Sequence, residues 1–263
     1  MSEYTRQLLI DAGVAAEKIS VIVHGADHLP PAAPRKDDSD RRRARLALHD
    51  ALATSALGRS FTREAWLGAD VLVTVGRLVR RKGVAWFLEN VFGELRKRHA
   101  RPLVHLIVGT GPDHERIADV IRTENLGDNA FLLGRVDAAL LDATYRAADL
   151  FVMPNVPIAG DAEGFGFVAI EAASRGAVVV TSRLEGIPSA IHDGENGFLV
   201  NPEDAAAWRS RIERLLAEPE ATDAFALRAQ EYTATHFRWA DVGRRYAELF
   251  DALATERPVG SLE

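Results

Sequence analysis

The sequence predicts an α/β fold in which helices cover both faces of a parallel β-sheet. Six short apolar runs recur between positions 71 and 200, and helical patterns separate most of them. Within each run nearly every position is apolar, which is typical of parallel strands that are buried on both faces. Strands that alternate with helices along the chain indicate an α/β domain.

The first residues predict one helix and one strand. Tyr4 and Leu8 share one helical face within residues 3–12, and Gly13 can end that helix. The apolar run at 19–23 predicts a strand, because four of its five residues are β-branched aliphatics. The prolines that follow predict a linker.

Two polar patterns near this linker contain metal-binding residue types, but neither favours a metal site. His24, Asp27 and His28 carry suitable side chains, yet an intervening glycine and the prolines deny them a common helix face. Asp38 and Asp40 form an Asp-x-Asp pattern that lies in the polar linker, away from any strand end.

A second helix is predicted after the linker, with Leu48 and Leu52 on its apolar side. Acidic residues at 37–40 precede arginines at 41–43 and 45, an order that favours helix capping followed by a solvated face. The same arginines could contact anionic lipid headgroups, so a weak peripheral membrane contact stays open.

The six strands are predicted at 71–75, 104–108, 130–133, 150–153, 178–181 and 198–200. A helix over 84–95 has apolar residues at spacings of three and four, and a shorter one is predicted around 117–121. Two amphipathic helices follow the last strand, and their apolar stripes begin at Trp208 and Trp239.

Composition excludes several classes of protein. With 263 residues, 47% of them hydrophobic, the chain can bury a sizeable core and lies between one domain and two. A formal net charge of −6 argues against a general nucleic-acid binder, and the lack of cysteine excludes disulfides and thiol chemistry. Because no signal peptide and no membrane-spanning run is visible, we expect a cytoplasmic protein.

Three common site motifs are incomplete or absent. Gly109-Thr-Gly111 begins like a dinucleotide fingerprint, but His114 occupies the third glycine position. No lysine follows a glycine loop in the P-loop pattern, and no serine is framed as Gly-x-Ser-x-Gly.

The stretch at 160–176, GDAEGFGFVAIEAASRG, predicts an anion site. Gly164 and Gly166 let the main chain approach a ligand, and the helix that follows directs free N–H groups towards an anion. Glu163 and Glu171 can face the same cleft, where carboxylates would accept hydrogen bonds from hydroxyl groups. A ligand with phosphate and many hydroxyls is a sugar nucleotide. The alternative interpretation is a helix start with a first-turn acid and a solvated Glu171.

Cations are predicted beside this anion site. Arg77 and Lys82 follow the first of the six strands, and parallel sheets bind ligands beyond the carboxyl ends of their strands. Such cations can supply fixed positive charge to a diphosphate. The alternative interpretation is that both are solvated loop cations.

In their order from about 71 to 216, these motifs resemble the donor-binding half of the GT-B glycosyltransferases, specifically the retaining glycosyltransferase family 4. The matching motifs are Val75-Gly-Arg77 with Lys82-Gly83, Val108-Gly-x-Gly-Pro112, Gly134-Arg135-Val136, Ala147-Ala148-Asp149 with Pro154, Glu163-Gly-Phe-Gly166 with Glu171-Ala172, and Asp193-Gly-x-Asn-Gly197 with Pro202. The resemblance implies a Rossmann-like domain that binds a UDP-, GDP- or ADP-sugar. It also implies transfer of the sugar to a hydroxyl acceptor with retention of configuration.

The resemblance also implies roles for individual residues. Arg77 and Lys82 would hold the donor diphosphate and stabilise the leaving nucleotide, Glu163 would contact the donor sugar, and Glu171 would bind the ribose hydroxyls. The loop at 134–136 would lie along the base. The further donor contacts implied are Gly76, Gly109, Gly111, Arg135, Val136, Gly164, Phe165 and Gly166. No metal or other cofactor is expected, because cations and a helix end already face the diphosphate.

Two departures from the family pattern lie close to this site. Ala177 stands near a position where the family usually has proline, and Glu185 stands where a second glycine usually precedes Gly186. We therefore expect Glu185 beside the phosphate-binding loop.

The resemblance implies three parts: a remnant of the N-terminal acceptor domain plus linker (1–34), the donor domain (35–238) and a helix that crosses back to the N-terminal domain (239–263). A partner chain or a homodimer could supply the missing acceptor half. Alternatively, the chain is a truncated fragment, or a non-catalytic nucleotide-sugar-binding or regulatory subunit. We expect apolar residues of the first and last helices, Tyr4, Leu8, Trp239, Tyr246 and Phe250, to form an exposed patch for a partner.

Overall fold

The computed structural model describes residues 2–26 and 38–256 of the chain. One parallel sheet has the strand order β3-β2-β1-β4-β5-β6. Its strands are β1 (Asp70–Val75), β2 (Leu103–Val108), β3 (Ala130–Gly134), β4 (Leu150–Met153), β5 (Val178–Ser182) and β6 (Phe198–Val200). All six predicted strands are confirmed to within one residue at each end.

The strand order reverses between β1 and β4, which lie side by side in the middle of the sheet. Val71 of β1 pairs with Val104 of β2 on one side, and Leu72 of β1 pairs with Leu150 of β4 on the other. In open parallel sheets the loops that follow such a pair of strands diverge and leave a crevice between them. This reversal therefore determines where a ligand can bind.

Helices and short turns of helix connect the strands. The α-helices are α1 (Glu3–Asp11), α2 (Asp38–Ala51), α3 (Ala56–Ser60), α4 (Arg63–Leu67), α5 (Val84–Phe87), α6 (Gly93–Arg98), α7 (His114–Thr123), α8 (Ala138–Ala147), α9 (Phe167–Ser174), α10 (Ala205–Ala217), α11 (Pro219–His236) and α12 (Trp239–Glu256). A π-helical turn, Leu88–Phe92, joins α5 to α6. Turns of 3-10 helix span Ala16–Lys18, Arg80–Lys82 and Ile187–Ser189.

Two hydrophobic cores fill the space between the sheet and its helices, one on each face. One core contains Trp66 and Phe151, and the other contains Phe87 and Trp208. All four of these aromatic side chains are fully buried. Strands β1, β2, β4 and β5 are buried at every residue, which explains why their sequences are apolar without alternation.

The strand predicted at 19–23 is wrong, because residues 19–26 are not part of any strand. An extended segment becomes a strand only when a neighbouring strand supplies hydrogen-bond partners. Here the segment runs instead towards the start of α12, where the Ala26 N–H donates to the Phe237 carbonyl oxygen at 2.7 Å. Asp27, His28 and the predicted linker to residue 37 lie outside the described residues.

The solvated arginine face predicted for α2 is wrong for two of its arginines. Arg45 is buried and its Nη2 donates to Asp149 Oδ2 at 2.5 Å, while Arg41 Nη1 donates to Asp149 Oδ1 at 2.9 Å. The same carboxylate accepts the Val71 N–H at 2.7 Å. Arg41 and Arg45 therefore attach α2 to the amino-terminal edge of the sheet and do not present their charges to lipid headgroups.

Across residues 2–26 and 38–256, no helix is both long and apolar enough to cross a lipid bilayer. The same part of the chain contains no cluster of three histidine, aspartate or glutamate side chains placed to hold a metal ion. Asp40, from the Asp-x-Asp pattern, forms an ion pair with Arg43 on α2.

Candidate functional site

Two loops meet at the crevice between β1 and β4, and each carries one of the predicted site residues. Lys82 ends the 3-10 turn after β1 and Glu163 lies in the loop after β4, with 2.5 Å between Lys82 Nζ and Glu163 Oε2. A Cβ on Gly83 would lie 1.9 Å from the Pro154 carbonyl oxygen, so the two main chains touch at a position that admits no side chain. The structure therefore brings Lys82 and Glu163 together.

Two further side chains, neither of them predicted from the sequence as a site residue, contact the Glu163 carboxylate. Arg81 donates through Nη1 to Glu163 Oε2, and Asn155 donates through Nδ2 to the same oxygen at 3.2 Å. Arg81 also donates through Nε to Asp161 Oδ1 at 2.9 Å. Both missed residues follow the carboxyl end of a strand, and that position is the signal that could have identified them.

Burial and the neighbouring charges act in opposite directions on this cluster. Burial alone would raise the pKa of the Glu163 carboxyl, but Lys82 and Arg81 outweigh it and hold the pKa below its usual range. Burial lowers the pKa of the Lys82 ammonium, and the attraction of Glu163 offsets only part of this effect. Glu163 therefore stays ionised at neutral pH, and its charge is matched by adjacent cations.

The predicted anion site lies at the start of α9. Gly166 precedes the helix with a φ of 96°, a left-handed conformation that glycine adopts readily. Within the described part of the chain, the main-chain N–H groups of Gly164, Phe165 and Gly166 donate no hydrogen bond to another main-chain group. Free amides at the positive end of a helix suit a phosphate group.

Glu171 lies five residues into α9 and is half-buried. Its Oε2 accepts a hydrogen bond from the Tyr145 hydroxyl at 2.9 Å. Burial and the adjacent Glu171 carboxylate raise the pKa of Tyr145 well above its usual value, so this hydroxyl remains a donor. The ribose role of Glu171 stays a prediction.

The second predicted cation, Arg77, follows Gly76 at the end of β1 and is exposed. It differs from Lys82 and Arg81 because its side chain makes no hydrogen bond or ion pair with any described residue. Arg135 is exposed in the same way after β3, while Val136 packs partly against the core. Arg77 therefore offers a charge that no described residue neutralises.

Three predicted glycine contacts lie where the loops after β1 and β2 touch. A Cβ on Gly109 would lie 1.9 Å from the Gly76 carbonyl oxygen, and one on Gly111 would lie 2.2 Å from the Leu78 carbonyl oxygen. Gly109 and Gly111 thus allow the two loops to pack main chain against main chain. Their contact with a ligand stays a prediction.

The Phe165 side chain packs into an aromatic cluster. Its ring lies 5.1 Å from that of Phe167, 5.8 Å from that of His24 and 6.4 Å from that of Phe237, measured between ring centroids. Because the Phe165 side chain is buried, only the main chain at this residue is left for the predicted donor contact.

Glu185 lies beside the loop that contains Glu163, where the sequence predicted it. The Glu163 N–H donates to Glu185 Oε2 at 2.5 Å, and the Gly186 N–H donates to the Glu163 carbonyl oxygen at 3.0 Å. Glu185 adopts a φ of 53°, which is uncommon for a residue with a side chain. Burial is the largest effect on its carboxyl and raises the pKa.

Proteins similar in sequence to this chain are named as glycosyltransferases or mannosyltransferases. The chain is 29% identical over 251 residues to the D-inositol 3-phosphate glycosyltransferase of Corynebacterium kroppenstedtii, covering 92% of this chain and 50% of the relative. It is 30% identical over 231 residues to the GDP-mannose-dependent alpha-(1-6)-phosphatidylinositol monomannoside mannosyltransferase of Mycolicibacterium smegmatis, covering 85% and 55% respectively. The chain thus spans about half the length of these relatives.

Solved structures share the fold at lower identity. A glycosyltransferase from Rickettsia africae superposes with a TM-score of 0.74 at 18% identity, over 97% of this chain and 63% of that chain. Anabaena Alr3699/HepE in complex with UDP and glucose gives a TM-score of 0.72 at 22% identity, over 95% and 61%. These likenesses confirm the predicted fold.

A family model provides the assignment that these individual likenesses support. The model described as "Glycosyl transferases group 1" matches residues 69–218, which include all six strands and the loops that carry Lys82 and Glu163. Because this match covers more than half of the chain, the protein belongs to the group 1 family of glycosyl transferases.

Proposed function

We propose that this chain is the donor-binding part of a retaining, family 4 glycosyltransferase. It would bind a UDP-, GDP- or ADP-sugar and take part in transfer of the sugar to a hydroxyl acceptor. The observation that carries the proposal is the contact of Lys82 with Glu163 beside the free amides that precede α9. A cation, an acid and a helix end at one crevice suit a ligand with both phosphate and hydroxyl groups.

The proposed chemistry is electrostatic stabilisation of the leaving nucleoside diphosphate. Negative charge grows on the diphosphate as its bond to the sugar breaks. Lys82, Arg77 and the start of α9 are positive groups that would stabilise this charge. On this proposal neither a metal ion nor another cofactor is needed. Glu163 would accept hydrogen bonds from the sugar, and Glu171 from the ribose.

The names of the relatives support a nucleotide-sugar donor without choosing the nucleotide. One relative is named as dependent on GDP-mannose, whereas Anabaena Alr3699/HepE was solved with UDP and with UDP-glucose. Both donors, together with ADP-glucose, are therefore the compounds to test first.

Thermal unfolding with a panel of these three donors tests the proposal on the wild-type chain and on Arg77→Ala. Because the Arg77 side chain is exposed and makes no polar contact with described residues, its removal should leave the unliganded protein unchanged. A ligand present at about 100 times its Kd raises stability by about 2.7 kcal/mol, and Arg77→Ala should lose most of this increment.

Arg80→Ala is the matched control, since Arg80 is also exposed and lies in the same loop. It should respond to each donor as the wild type does. Equal stabilisation of wild type and Arg77→Ala would reject the phosphate role of Arg77. No stabilisation of the wild type by any of the three donors would reject the proposed function.

We also propose a protein partner for the apolar patch formed by α1 and α12. Large apolar side chains there are strongly exposed: Leu8 (48%), Trp239 (42%), Tyr246 (44%), Phe250 (62%) and Leu253 (51%). Large apolar side chains that stay exposed in such number are typical of an interaction surface. The partner would be an acceptor domain or a second copy of the chain, and the cytoplasmic location stays a prediction.

Sedimentation velocity over a concentration series tests the second copy as partner. If this is the partner, the wild type should self-associate and Phe250→Glu should weaken the association, because a carboxylate would enter an apolar interface. Arg245→Glu, at an exposed position of the same helix outside the patch, is the control. A strictly monomeric wild type would leave the acceptor domain as the partner to test, by mixing with that domain from a full-length relative.

A further inference from the structure

The Glu163 carboxylate is held asymmetrically. Three donors from two loops reach the same oxygen, Oε2: Lys82 Nζ at 2.5 Å, Asn155 Nδ2 at 3.2 Å, and Arg81 Nη1. The other oxygen, Oε1, has no hydrogen-bond partner among the described residues and is not enclosed. All three hydrogen bonds from the protein therefore go to Oε2, whereas Oε1 can accept a hydrogen bond from a ligand.

The main chain of Glu163 is held on both sides as well. Its N–H donates to Glu185 Oε2 at 2.5 Å, and its carbonyl oxygen accepts the Gly186 N–H at 3.0 Å. A Cβ on Gly186 would lie 2.1 Å from the Gly164 carbonyl oxygen, so the loop after β5 packs directly on this turn. The peptide group and the carboxylate are therefore both immobilised.

The amide of Asn155 supports the same conclusion. Its Oδ1 is buried without a hydrogen-bond partner, and reversing the amide would place this oxygen against the Glu163 carboxylate. The observed orientation is thus determined by the contact with Glu163. A buried polar side chain that hydrogen-bonds to a single partner is expected where the orientation of that partner must be fixed.

We propose that Arg81, Asn155 and Glu185 form a clamp that aims Glu163 Oε1 at a hydroxyl of the donor sugar. These three residues, the Glu163 clamp, are positioning residues and do not themselves contact the ligand. The inference rests on the proposed function and assigns it three further residues. Since Oε2 already accepts three hydrogen bonds, Oε1 is the atom left to accept one from the sugar.

Asp161 sets the position of the Arg81 guanidinium. Arg81 contacts Asp161 through Nε and Glu163 through Nη1, so its rigid fork joins the two acids. The Arg81 side chain is 19% exposed and that of Asp161 is 51% exposed. Asp161 can therefore be changed without opening the core, whereas Arg81 supports the turn more directly.

Isothermal titration calorimetry of the full chain distinguishes residues that orient Glu163 towards the sugar from residues that bind the diphosphate. The probes are UDP with UDP-glucose, GDP with GDP-mannose, and ADP with ADP-glucose. The quantity measured is the sugar increment, the Kd of each diphosphate divided by the Kd of its sugar conjugate. The wild type should show a sugar increment of about tenfold for one pair, as expected for a hydroxyl bound to a carboxylate.

Arg81→Met should remove most of that sugar increment and change the Kd of the diphosphate alone less than about twofold. Asp161→Asn should lower the increment about threefold, because the guanidinium loses one of its two anchors. Arg81→Lys should retain only part of the sugar increment, since an ammonium cannot join both acids. Arg80→Met is the matched control and should retain the wild-type increment, because the exposed Arg80 side chain makes no hydrogen bond or ion pair with described residues.

Each other outcome overturns the clamp. An unchanged sugar increment in Arg81→Met and Asp161→Asn would show that Glu163 needs no aiming. Equal weakening of diphosphate and sugar conjugate in Arg81→Met would make Arg81 a phosphate ligand. A wild type that binds a diphosphate without any sugar increment removes the clamp but keeps nucleotide binding. A wild type that binds none of the probes overturns both the clamp and the proposed function. Should Arg81→Met fail to fold, as judged by circular dichroism, Asp161→Asn decides the result.

Discussion

Lys82 Nζ lies 2.5 Å from Glu163 Oε2, although 81 residues separate the two in the chain. Their side chains are only 9% and 12% exposed. Removing two charges from water is costly, and their mutual attraction offsets that cost only when the geometry is good and further hydrogen bonds are made. We therefore expect both the stability of the fold at the crevice and the charge exposed there to depend on this contact.

Glu163→Gln should destabilise the fold, because it leaves the buried Lys82 ammonium without its acid. We expect a loss of about 3 kcal/mol in the free energy of unfolding at pH 7, measured by urea denaturation. Arg183→Met breaks a pair with Asp193 whose side chains are 48% and 39% exposed, and should cost less than about 1 kcal/mol. Equal losses of unfolding free energy in the two variants would show that burial of the ion pair does not raise the cost of breaking it.

His105 should make the fold sensitive to acid. This fully buried imidazole contacts Thr74, and burial lowers its pKa from 6.5 to about 3. Between these two values the unfolded chain binds more protons than the folded chain, so stability falls as the pH drops from 6.5 towards 3. The expected contribution is about 1.4 kcal/mol per pH unit.

Urea denaturation at several pH values below 6.5 measures this contribution. His105→Gln should have a shallower loss of stability with acid than the wild type, by about that slope. His114→Gln, which replaces a side chain that is 41% exposed, is the control variant. Parallel curves for wild type and His105→Gln would show that His105 does not control the acid response.

Gly186→Ala should disturb the turn that contains Glu163. The added Cβ would lie 2.1 Å from the Gly164 carbonyl oxygen, so the turn or the loop after β5 must move. We expect a loss of about 2 kcal/mol in unfolding free energy together with weaker donor binding. Gly243→Ala adds a Cβ that meets nothing within 4 Å inside α12, and should be neutral or stabilise by up to about 1 kcal/mol.

Glu171 should distinguish a ribose from its deoxy form. We expect the wild type to bind a nucleoside diphosphate about tenfold more tightly than the 2′,3′-dideoxy analogue, because the analogue lacks the two hydroxyls that would donate to Glu171. Calorimetry should show that Glu171→Gln reduces this ratio. Tyr145→Phe removes the hydroxyl that contacts Glu171 at 2.9 Å and should have a smaller effect. A ratio unchanged in Glu171→Gln would remove Glu171 from the site.

The elements predicted well are those in which consecutive residues are all buried, because such segments are apolar throughout. Strands β1, β2, β4 and β5 are buried at every residue, so their apolar runs mark them to within one residue. Helix α11 was not predicted, because its buried face contains small and polar residues that give little contrast in hydrophobicity. The buried residues are Thr222, Phe225, Ala226, Ala229, Gln230 and Thr233.

The site was predicted only in part, for a different reason. Lys82 and Glu163 match a family pattern, whereas Arg81 and Arg45 occur in basic runs that read locally as solvated charge. Their acids, Glu163 and Asp149, are distant in sequence. Nothing in the local sequence indicates that an arginine will meet an acid about 80 or 100 residues later.

The sequence by itself determined the parallel α/β architecture and the family, and it predicted candidate residues for a nucleotide-sugar site. These depend on the alternation of buried segments and on motif order, both of which are local properties of the chain. Only the tertiary structure decided that β1 lies beside β4, that their loops meet at Gly83 and Pro154, and that one oxygen of Glu163 stays free. The physical reason is that strand order and loop contacts come from long-range packing, which residue periodicity does not encode.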